Sequence, residues 1–600
     1  MDKNDVLNRV KVELSKNGHV VSNLITNLLL IKNLGKHYKI VRESLHRSHT
    51  DSIYITFKKL LKEHPEILTR IAISQDFNIT YEEFDNNIEY LANFYANFLK
   101  IEKGEKISVC AEPSIQGIIN FFATNSLGAV QARIFNGSKE DTFLQNLIDF
   151  SSTTVLVDEN NIDTLAKVAS KTKVRNVIVV GECLSTQIEN FKSLNPNINL
   201  VLWDDALKMG YNSPQHKNVE VNENDLAAIL YTSGSSGEPK PILLPNRSFC
   251  RMVEIVKETT NEKVADGESV LGVVSHEYPY AANNSTTMIL LLGKTLVLPS
   301  KNDPNNLNKI FDKEINKIQV IPSFNKKIEA DLTSNIDISI QSREDLIKSM
   351  ASIDYVVDGG EPYTKAEKIN FLSLLSSFGY SPLMIDGFGF GELGSATALK
   401  FGLSDYFLLM NGMEAKVIDE KTGEEVPKGQ NGILCLTGPT IALGYHNRTE
   451  ATEKSFVKDK DGKVWFISDT YGSVHGLASR LIKLHGRLRE CFITGDGKGS
   501  FVKVYSGKIE DVILSTGYVK DCIVVASDNG ATPSAVAYIS LKEGVDIDQD
   551  ILMQIIKQKC ESLNDFEQPT EYNFEDVIHR TPADKKDYEY YKSLRIQKVY

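Results

Sequence analysis

Between Ile53 and Leu298 the apolar positions change period repeatedly: helical spacing, as in Tyr81–Leu99, gives way to short β-branched runs such as Ile107–Cys110, Thr154–Val157 and Val177–Val180. Apolar residues three and four apart form the buried stripe of a helix, whereas short apolar runs between polar turns suit strands buried on both faces. Their alternation predicts an α/β fold with largely parallel sheets and helices. The pattern changes at Ala415–Gly438, where AKVID and NGILCLTG flank a turn at KTGEE and read as a smaller β subdomain. Past Gly486 strands begin afresh, followed by a helix over Asp548–Ser562 and a charged tail, so a small α+β C-terminal domain is expected. Ahead of all this, Val6, Val10, Leu14, Leu24, Leu28 and Leu29 predict one or two amphipathic helices packed as an N-terminal extension. The expected divisions are 1–50, 51–488 and 489–600.

Length supports that division, because a single core stops growing at roughly 250–300 residues and this chain has 600. Hydrophobic residues make up 42% and charged residues 24%, the balance of a globular enzyme rather than a disordered chain. The net charge of −12, with lysines and arginines scattered among acids, offers no basic stripe and argues against nucleic acid as a partner. A nucleotide is still compatible, since phosphates are held by backbone amides and one or two cations. Seven widely spaced cysteines without a CxxC pair argue against a disulfide framework or zinc. Met1–Ser15 is too polar for a signal peptide, and the longest apolar run, Met288–Leu292, is far short of a membrane span, so a cytoplasmic protein is expected.

The strongest local signal is DLAAILYTSGSSGEPKPILL, Asp225–Leu244, a loop dense in glycine and serine between two apolar strands. Gly234 and Gly237 let backbone amides turn toward a ligand, Thr232, Ser233, Ser235 and Ser236 add hydroxyls, and Lys240 adds a cation. Phosphate is the guest such a loop suits. Glu238 and Pro239 follow Gly237, so this is not the helix-opening P-loop.

YTSGSSGEPK closely resembles the signature loop of the adenylate-forming (AMP-binding) superfamily, which includes acyl-CoA synthetases, nonribosomal peptide synthetase adenylation domains and luciferase. Further landmarks follow in that family's order from about Ile79 to Asp587: ITYEEFDNNIEYLANFYANFL, NFFATNSLGAV, VVDGGEP, DGFGFGE, ILCLTGPTIALGYHNRTEATEKSF, WFISDTYG, HGRLRE and HRTPADKKDY. The resemblance implies ATP and Mg²⁺ as cofactors, a thiol acceptor (CoA or phosphopantetheine), and a mobile C-terminal domain pivoting at Arg489. It implies Gly360, Glu361 and Pro362 beside adenine, with Asp386, Phe388 and Gly389 also at the nucleotide and Phe388 against the ring. Glu392 is implied as magnesium ligand and catalytic acid residue, Asp469 at the ribose hydroxyls, and Arg487 at ribose and phosphate. An aromatic face suits a purine, a hard carboxylate suits Mg²⁺, and one carboxylate can accept from both hydroxyls of a diol. Register from Arg580-Thr581-Pro582 places the adenylation lysine at Lys585, with Lys586 the competing choice.

Three positions break the family pattern: Gly391 for threonine, Ser468 for glycine, and Asp584 for glycine before the lysine. They keep a non-catalytic nucleotide-binding or scaffold homologue open as an alternative, against which the joint retention of Glu392, Asp469, Arg487 and Lys585 argues. In VVSHEYPYAANNS, Val273–Ser285, Pro279 stands where family members that bind α-amino acids carry an aspartate, so such a substrate is disfavoured. Tyr278, Tyr280, Asn283 and Asn284 suit an aryl, hydroxylated or polar acyl acid, and a small slip of register substitutes His276 and Glu277. The activity implied is formation of an acyl adenylate with release of pyrophosphate, followed by transfer to a thiol. A freestanding domain that loads an acyl carrier protein is the alternative within the same chemistry.

Overall fold

The computed structural model describes residues 51–596 except 218, 233–238, 261, 273–275, 277, 302, 304–305, 334–345, 349, 361–362, 403, 477–478, 496–500, 528–532, 543, 546 and 581–585. The helices expected over Val6–Glu43 lie outside the described residues.

Local chemistry sets where helices begin. Thr80 accepts from the Glu83 amide while the Glu83 carboxylate accepts from the Thr80 amide, a reciprocal cap that opens the helix Tyr81–Phe94. Its continuation, Tyr95–Leu99, widens to π-helical pitch and stops at Lys100, which is left-handed at φ 56°. The buried face meets its neighbours edge-on through Phe84, whose ring centroid lies 5.4 Å from Phe57 and 5.2 Å from Phe122.

The β-branched runs become the centre of a seven-stranded sheet, ordered Asn199–Leu202, Asn176–Val180, Thr154–Asp158, Lys106–Cys110, Val130–Arg133, Leu226–Tyr231 and Pro241–Pro245. All its pairs are parallel except the last. A second, 14-stranded sheet has a parallel half in which Thr295–Val297, Ser269–Gly272, Lys317–Val320, Tyr355–Gly359 and Leu383–Phe390 are successive neighbours. It then turns antiparallel through Ser395–Phe401, Phe407–Leu409, Leu481–Arg487, Val464–His475, Gly432–Thr437 and Glu414–Ile418. The β subdomain expected at Ala415–Gly438 lies in the antiparallel arm of this sheet. One apolar core joins Leu156 and Ile178 of the first sheet to Leu296 and Ile385 of the second through helix residues such as Ile118, Phe122, Phe249 and Met252.

From Cys491 a hairpin, Cys491–Gly495 with Phe501–Tyr505, leads into a three-stranded sheet of Val519–Ala526, Ala535–Leu541 and Glu571–Phe574. Helices Ser506–Leu514 and Gln549–Cys560 cover it around an apolar cluster of its own that includes Ile509, Val524, Ala537 and Ile556. The expected helix over Asp548–Ser562 is this Gln549–Cys560 helix, with the Asp548 carboxylate capping it. No described helix is long and apolar enough to cross a membrane.

A fully buried amide ties the start of the described chain to both sheet and helix. Asn246 Oδ1 accepts from the Ile53 amide at 3.0 Å and Asn125 Nδ2 at 2.8 Å, and its Nδ2 donates to the Asp225 carbonyl at 3.0 Å. Asn246→Leu strands those partners, each at a cost of about 1–3 kcal/mol. A lower urea midpoint for the first unfolding transition is expected, and an unchanged midpoint would contradict it.

Candidate active site

Where the strand Leu383–Phe390 leaves the sheet it tightens into a 3₁₀ turn, Gly391–Leu393, and this turn buries Glu392. Glu392 Oε1 accepts from the Tyr445 hydroxyl at 2.7 Å, and its backbone carbonyl accepts from the Ala442 amide at 2.8 Å. Burial holds the Glu392 carboxyl above its usual range; the Tyr445 hydroxyl and Lys240 pull it down, and the Asp469 charge pushes it up. Lys240 Nζ lies 5.2 Å from the centroid of the Tyr445 ring. Thr232 and Lys240 bracket the glycine-rich loop: Thr232 N donates to the Lys240 carbonyl at 2.9 Å, and Lys240 N donates to Thr232 Oγ1 at 3.0 Å. Ser233, Gly234, Ser235, Ser236 and Gly237, within that loop, lie outside the described residues.

Asp469 and Arg487 come from paired strands, and Arg487 Nη1 lies 3.5 Å from Asp469 Oδ2. Phe388 is half-buried, with Phe390 at 5.3 Å and Phe407 at 5.5 Å between ring centroids. Gly389 is sterically required, since a Cβ there would lie 1.9 Å from the Ser395 carbonyl oxygen. Gly360 ends its strand at φ +85°, while Glu361 and Pro362 lie outside the described residues.

Two expected contacts turn inward. Asp386 is buried, its Oδ2 paired with Lys368 and, at 2.9 Å, with Lys400, while its Oδ1 has no partner among the described residues. Burial and the Asp386 charge together hold the neighbouring Asp358 carboxyl well above its usual range. Asn283 is fully buried and donates through Nδ2 to the carbonyls of Ser248 and Gly394, both at 2.8 Å, so it ties elements together instead of facing a substrate. Tyr278 packs on Phe135 at 5.7 Å. His276 is buried beside Thr286, and burial with the nearby Arg133 charge lowers its pKa to about 3. Glu277 lies outside the described residues.

A cavity of about 510 Å³ reaches Tyr280 and Gly387, beside Phe388. Strand side chains alternate, so Leu383, Ile385 and Gly387 share one face, as do Tyr355 and Val357 and also Lys317 and Gln319. These residues form the sheet wall. The facing wall comes from the π-helical Tyr280–Thr287 and the helix that continues it, which present Tyr280, Asn284, Met288 and Leu292 at four-residue spacing. Sequence reasoning missed most of this lining; period-two alternation in the strands was the available signal. It also left Tyr445 unassigned, although GYHN was recognised as a landmark.

The departures from the family pattern have physical counterparts. A Cβ at Gly391 would meet Ile242 Cδ1 at 2.6 Å and Pro279 Cγ at 3.0 Å, so a side chain there has to displace both. The Ser468 hydroxyl donates to the Leu434 carbonyl at 2.7 Å and accepts from the Thr470 amide, so it is used within the sheet. Asp584 and Lys585 lie outside the described residues, as does the loop they occupy. Lys586 is ion-paired with Glu510 at 2.8 Å and Asp521 at 3.5 Å, and these carboxylates hold its ammonium protonated despite burial. The Arg489 side chain is not among those described, but its backbone lies in the turn Leu488–Glu490 between the large sheet and the C-terminal hairpin.

The scaffold, with its buried acid and its cavity, is that of an adenylate-forming acid–thiol ligase, which activates a carboxylic acid as its adenylate for transfer to a thiol. The chain belongs to the AMP-binding enzyme family, whose model matches residues 60–446. It is 22% identical over 527 residues to a long-chain-fatty-acid–CoA ligase of Salmonella typhimurium, covering 84% of this chain and 88% of that protein. It is 26% identical over 378 residues to 4-coumarate–CoA ligase 3 of Oryza sativa subsp. japonica, covering 61% and 63%. Among solved structures, the anthranilate CoA ligase AuaEII in complex with anthranoyl-AMP aligns with a TM-score of 0.74 at 17% identity, over 92% of this chain and 98% of that one. ATP-bound MatB from Rhodopseudomonas palustris aligns at 0.71 and 17%, over 91% and 100%.

The raised Glu392 carboxyl has a pH signature. A cation held by Glu392 would require the ionised form, so its affinity would be lost as pH falls through a pKa above the ordinary carboxylate range. Tyr445→Phe removes a donor that lowers this pKa, so MgATP affinity is expected to fail at a higher pH than in the wild type. Calorimetric titrations from acid to neutral pH check this, and coincident curves would refute it.

Proposed function

We propose that this protein uses MgATP to convert a carboxylic acid held in the cavity into its acyl adenylate, and then passes the acyl group to CoA. The observation that carries the reading is the cavity itself, which reaches Gly387, next to Phe388 on the strand that leads into the turn carrying Glu392. In the first step a substrate carboxylate oxygen attacks the α-phosphorus of ATP and pyrophosphate leaves. In the second a thiolate attacks the acyl carbonyl and AMP leaves.

Glu392 would hold Mg²⁺. No cluster of three or more His, Cys, Asp or Glu side chains exists among the described residues. Mg²⁺ does not need one, because it keeps several waters and is usually bound by one or two carboxylates plus substrate phosphates. The buried, charge-disfavoured Glu392 suits such a cation, which would neutralise the carboxylate and the phosphates together. Thr232, Lys240 and the loop they bracket would hold phosphates, Gly360 and Phe388 would border adenine, and Asp469 and Arg487 would hold the ribose. Tyr280 would border the acyl group. Residues 489–600 would form a domain that rotates about Arg489 and carries Lys585 to the α-phosphate for the first step only.

CoA is favoured as acceptor by the two relatives described above, both named CoA ligases. A carrier-protein phosphopantetheine is the alternative acceptor. Rapid CoA thioester formation with carriers left unloaded, judged by intact mass, would decide for CoA.

Lys585→Ala is expected to lower carboxylate-dependent pyrophosphate exchange by about 10²–10³-fold, as removal of a transition-state charge contact does. Thioester formation from supplied acyl adenylate should be nearly unaffected. Lys586→Ala should instead destabilise the C-terminal residues, because it leaves the buried Glu510 unpaired. Normal exchange in Lys585→Ala with a large loss in a folded Lys586→Ala would move the adenylating role one residue on.

A further inference from the structure

The cavity is charged at one end, where Glu262, Lys263, Asp266, Glu268, Lys294 and Lys317 line it, and mostly apolar above that end, where two amides stand at one level. Gln319 and Asn284 both line it, each is 6% exposed, and the buried side-chain oxygens Gln319 Oε1 and Asn284 Oδ1 have no hydrogen-bond partner among the described residues. Buried amides are ordinarily satisfied, so two unpartnered amide oxygens in a single cavity mark the place of a missing ligand group.

The sheet register fixes where that place is. Gly387 stands at the upper end of the wall, paired with Gly359, whose α-carbon faces the Tyr280 ring. Two residues down each strand, Ile385 pairs with Val357 and Val357 with Gln319. Two further down, Leu383 pairs with Tyr355 and Tyr355 with Lys317. At about 3.3 Å per residue, Gln319 lies roughly 7 Å below the nucleotide end, and the wall runs roughly 13 Å in all. Asn284 reaches the same level from the other side: it is one helical turn from Tyr280, and its neighbour Ser285 has its carbonyl against Gly272, the strand partner of Gln319. The lower end is charged: Lys294 pairs with Glu262, Asp266 and Glu268, Lys317 pairs with Glu262, and the exposed Lys263 also lines it.

We propose that the cavity selects an acyl acid whose apolar body carries a neutral hydrogen-bonding group, a hydroxyl or carboxamide, part-way along its length, where Asn284 and Gln319 hold it. Each amide presents a donor and an acceptor. Together they can satisfy one hydroxyl completely, donating to its oxygen and accepting its proton. A plain alkyl chain leaves both amide oxygens unpaired, and that is how a polar site rejects an apolar analogue. This inference rests on the adenylation reading and names the substrate class for it.

Pyrophosphate exchange with decanoic acid and with its monohydroxylated derivatives, the hydroxyl moved one carbon at a time, tests both. A mid-chain isomer should exceed the parent acid in kcat/KM by at least about tenfold, with isomers hydroxylated near either end close to the parent. In Gln319→Met and Asn284→Leu, two independent and near-isosteric changes, the ratio of the favoured isomer to the parent should fall toward one. Equal rates for parent and all isomers, or variants that slow every acid alike, would overturn the substrate class while leaving adenylation standing. Exchange with none of the acids, together with no MgATP binding by calorimetry, would overturn both.

Discussion

A buried carboxylate is expensive unless hydrogen bonds or charges meet it, and Glu392 is met only because three distant segments converge on it. Tyr445 supplies the hydroxyl, Lys240 the nearest cation, and the turn Gly391–Leu393 the acid itself. What brings them together is a short cross-link between the two sheets. Leu443–His446 runs along the edge strand Pro241–Pro245, with Leu443 N donating to Leu243 O and Leu243 N to Gly444 O, both at 2.9 Å, and His446 N to Pro241 O at 2.8 Å. Side chains alternate along such a pairing, so a slip of one residue would turn Tyr445 to the opposite face. The register of this edge thus sets the relation of the phosphate loop to the acid.

Close backbone approach is the second condition. Gly359 admits the Gly387 carbonyl, 2.9 Å from where its Cβ would stand, and the Tyr280 ring at 3.6 Å. Side chains at these strand ends would separate the two strands from the π-helical wall and narrow the cavity at Gly387. The same reasoning applies to Gly391, whose missing side chain makes room for Ile242 and Pro279. Two oddities of the sequence, glycine for threonine and proline for aspartate, are thus one packing solution, with the proline ring resting where a threonine side chain would begin.

Much of the fold was legible because it rests on local periodicity. The runs at Ile107–Cys110, Thr154–Val157 and Val177–Val180 are strands within a residue of expectation, and the KTGEE turn closes on Gly423 at φ +71° with its amide bonded to Asp419. The change of pattern at Ala415–Gly438 marked the antiparallel arm, but not its union with the parallel half, which depends on pairing between Phe407–Leu409 and Leu481–Arg487, far apart in sequence. Order of landmarks located Glu392, Asp469 and Arg487, but not which face a side chain would take. Asn283 and Asn284 are adjacent and identical in type; only the turn of a π-helix decides that the first is bonded to backbone and the second lines the cavity. Asp386 likewise carries no sign in its own segment of the lysines, Lys368 and Lys400, that occupy it.

The junction with the C-terminal residues is short. Arg487 is still paired with Thr470 in the large sheet, and Cys491 already belongs to the next hairpin, so three residues in a single 3₁₀ turn form the covalent link. Beyond that link, Lys503 meets Glu420 at 2.7 Å and lies over the Tyr471 ring, with the Glu420 side chain 49% exposed. Exposed pairs of this kind contribute about 0–1 kcal/mol. The interior of the C-terminal residues is held far more firmly, by an apolar cluster and by the buried Glu510 that accepts from Lys586, Tyr588 and the Val524 amide. The junction itself adds aromatic contacts, Tyr505 lying 6.0 Å from Tyr471 and 5.6 Å from His485 between ring centroids, so the short link is flanked by packing as well as by the Lys503–Glu420 ion pair.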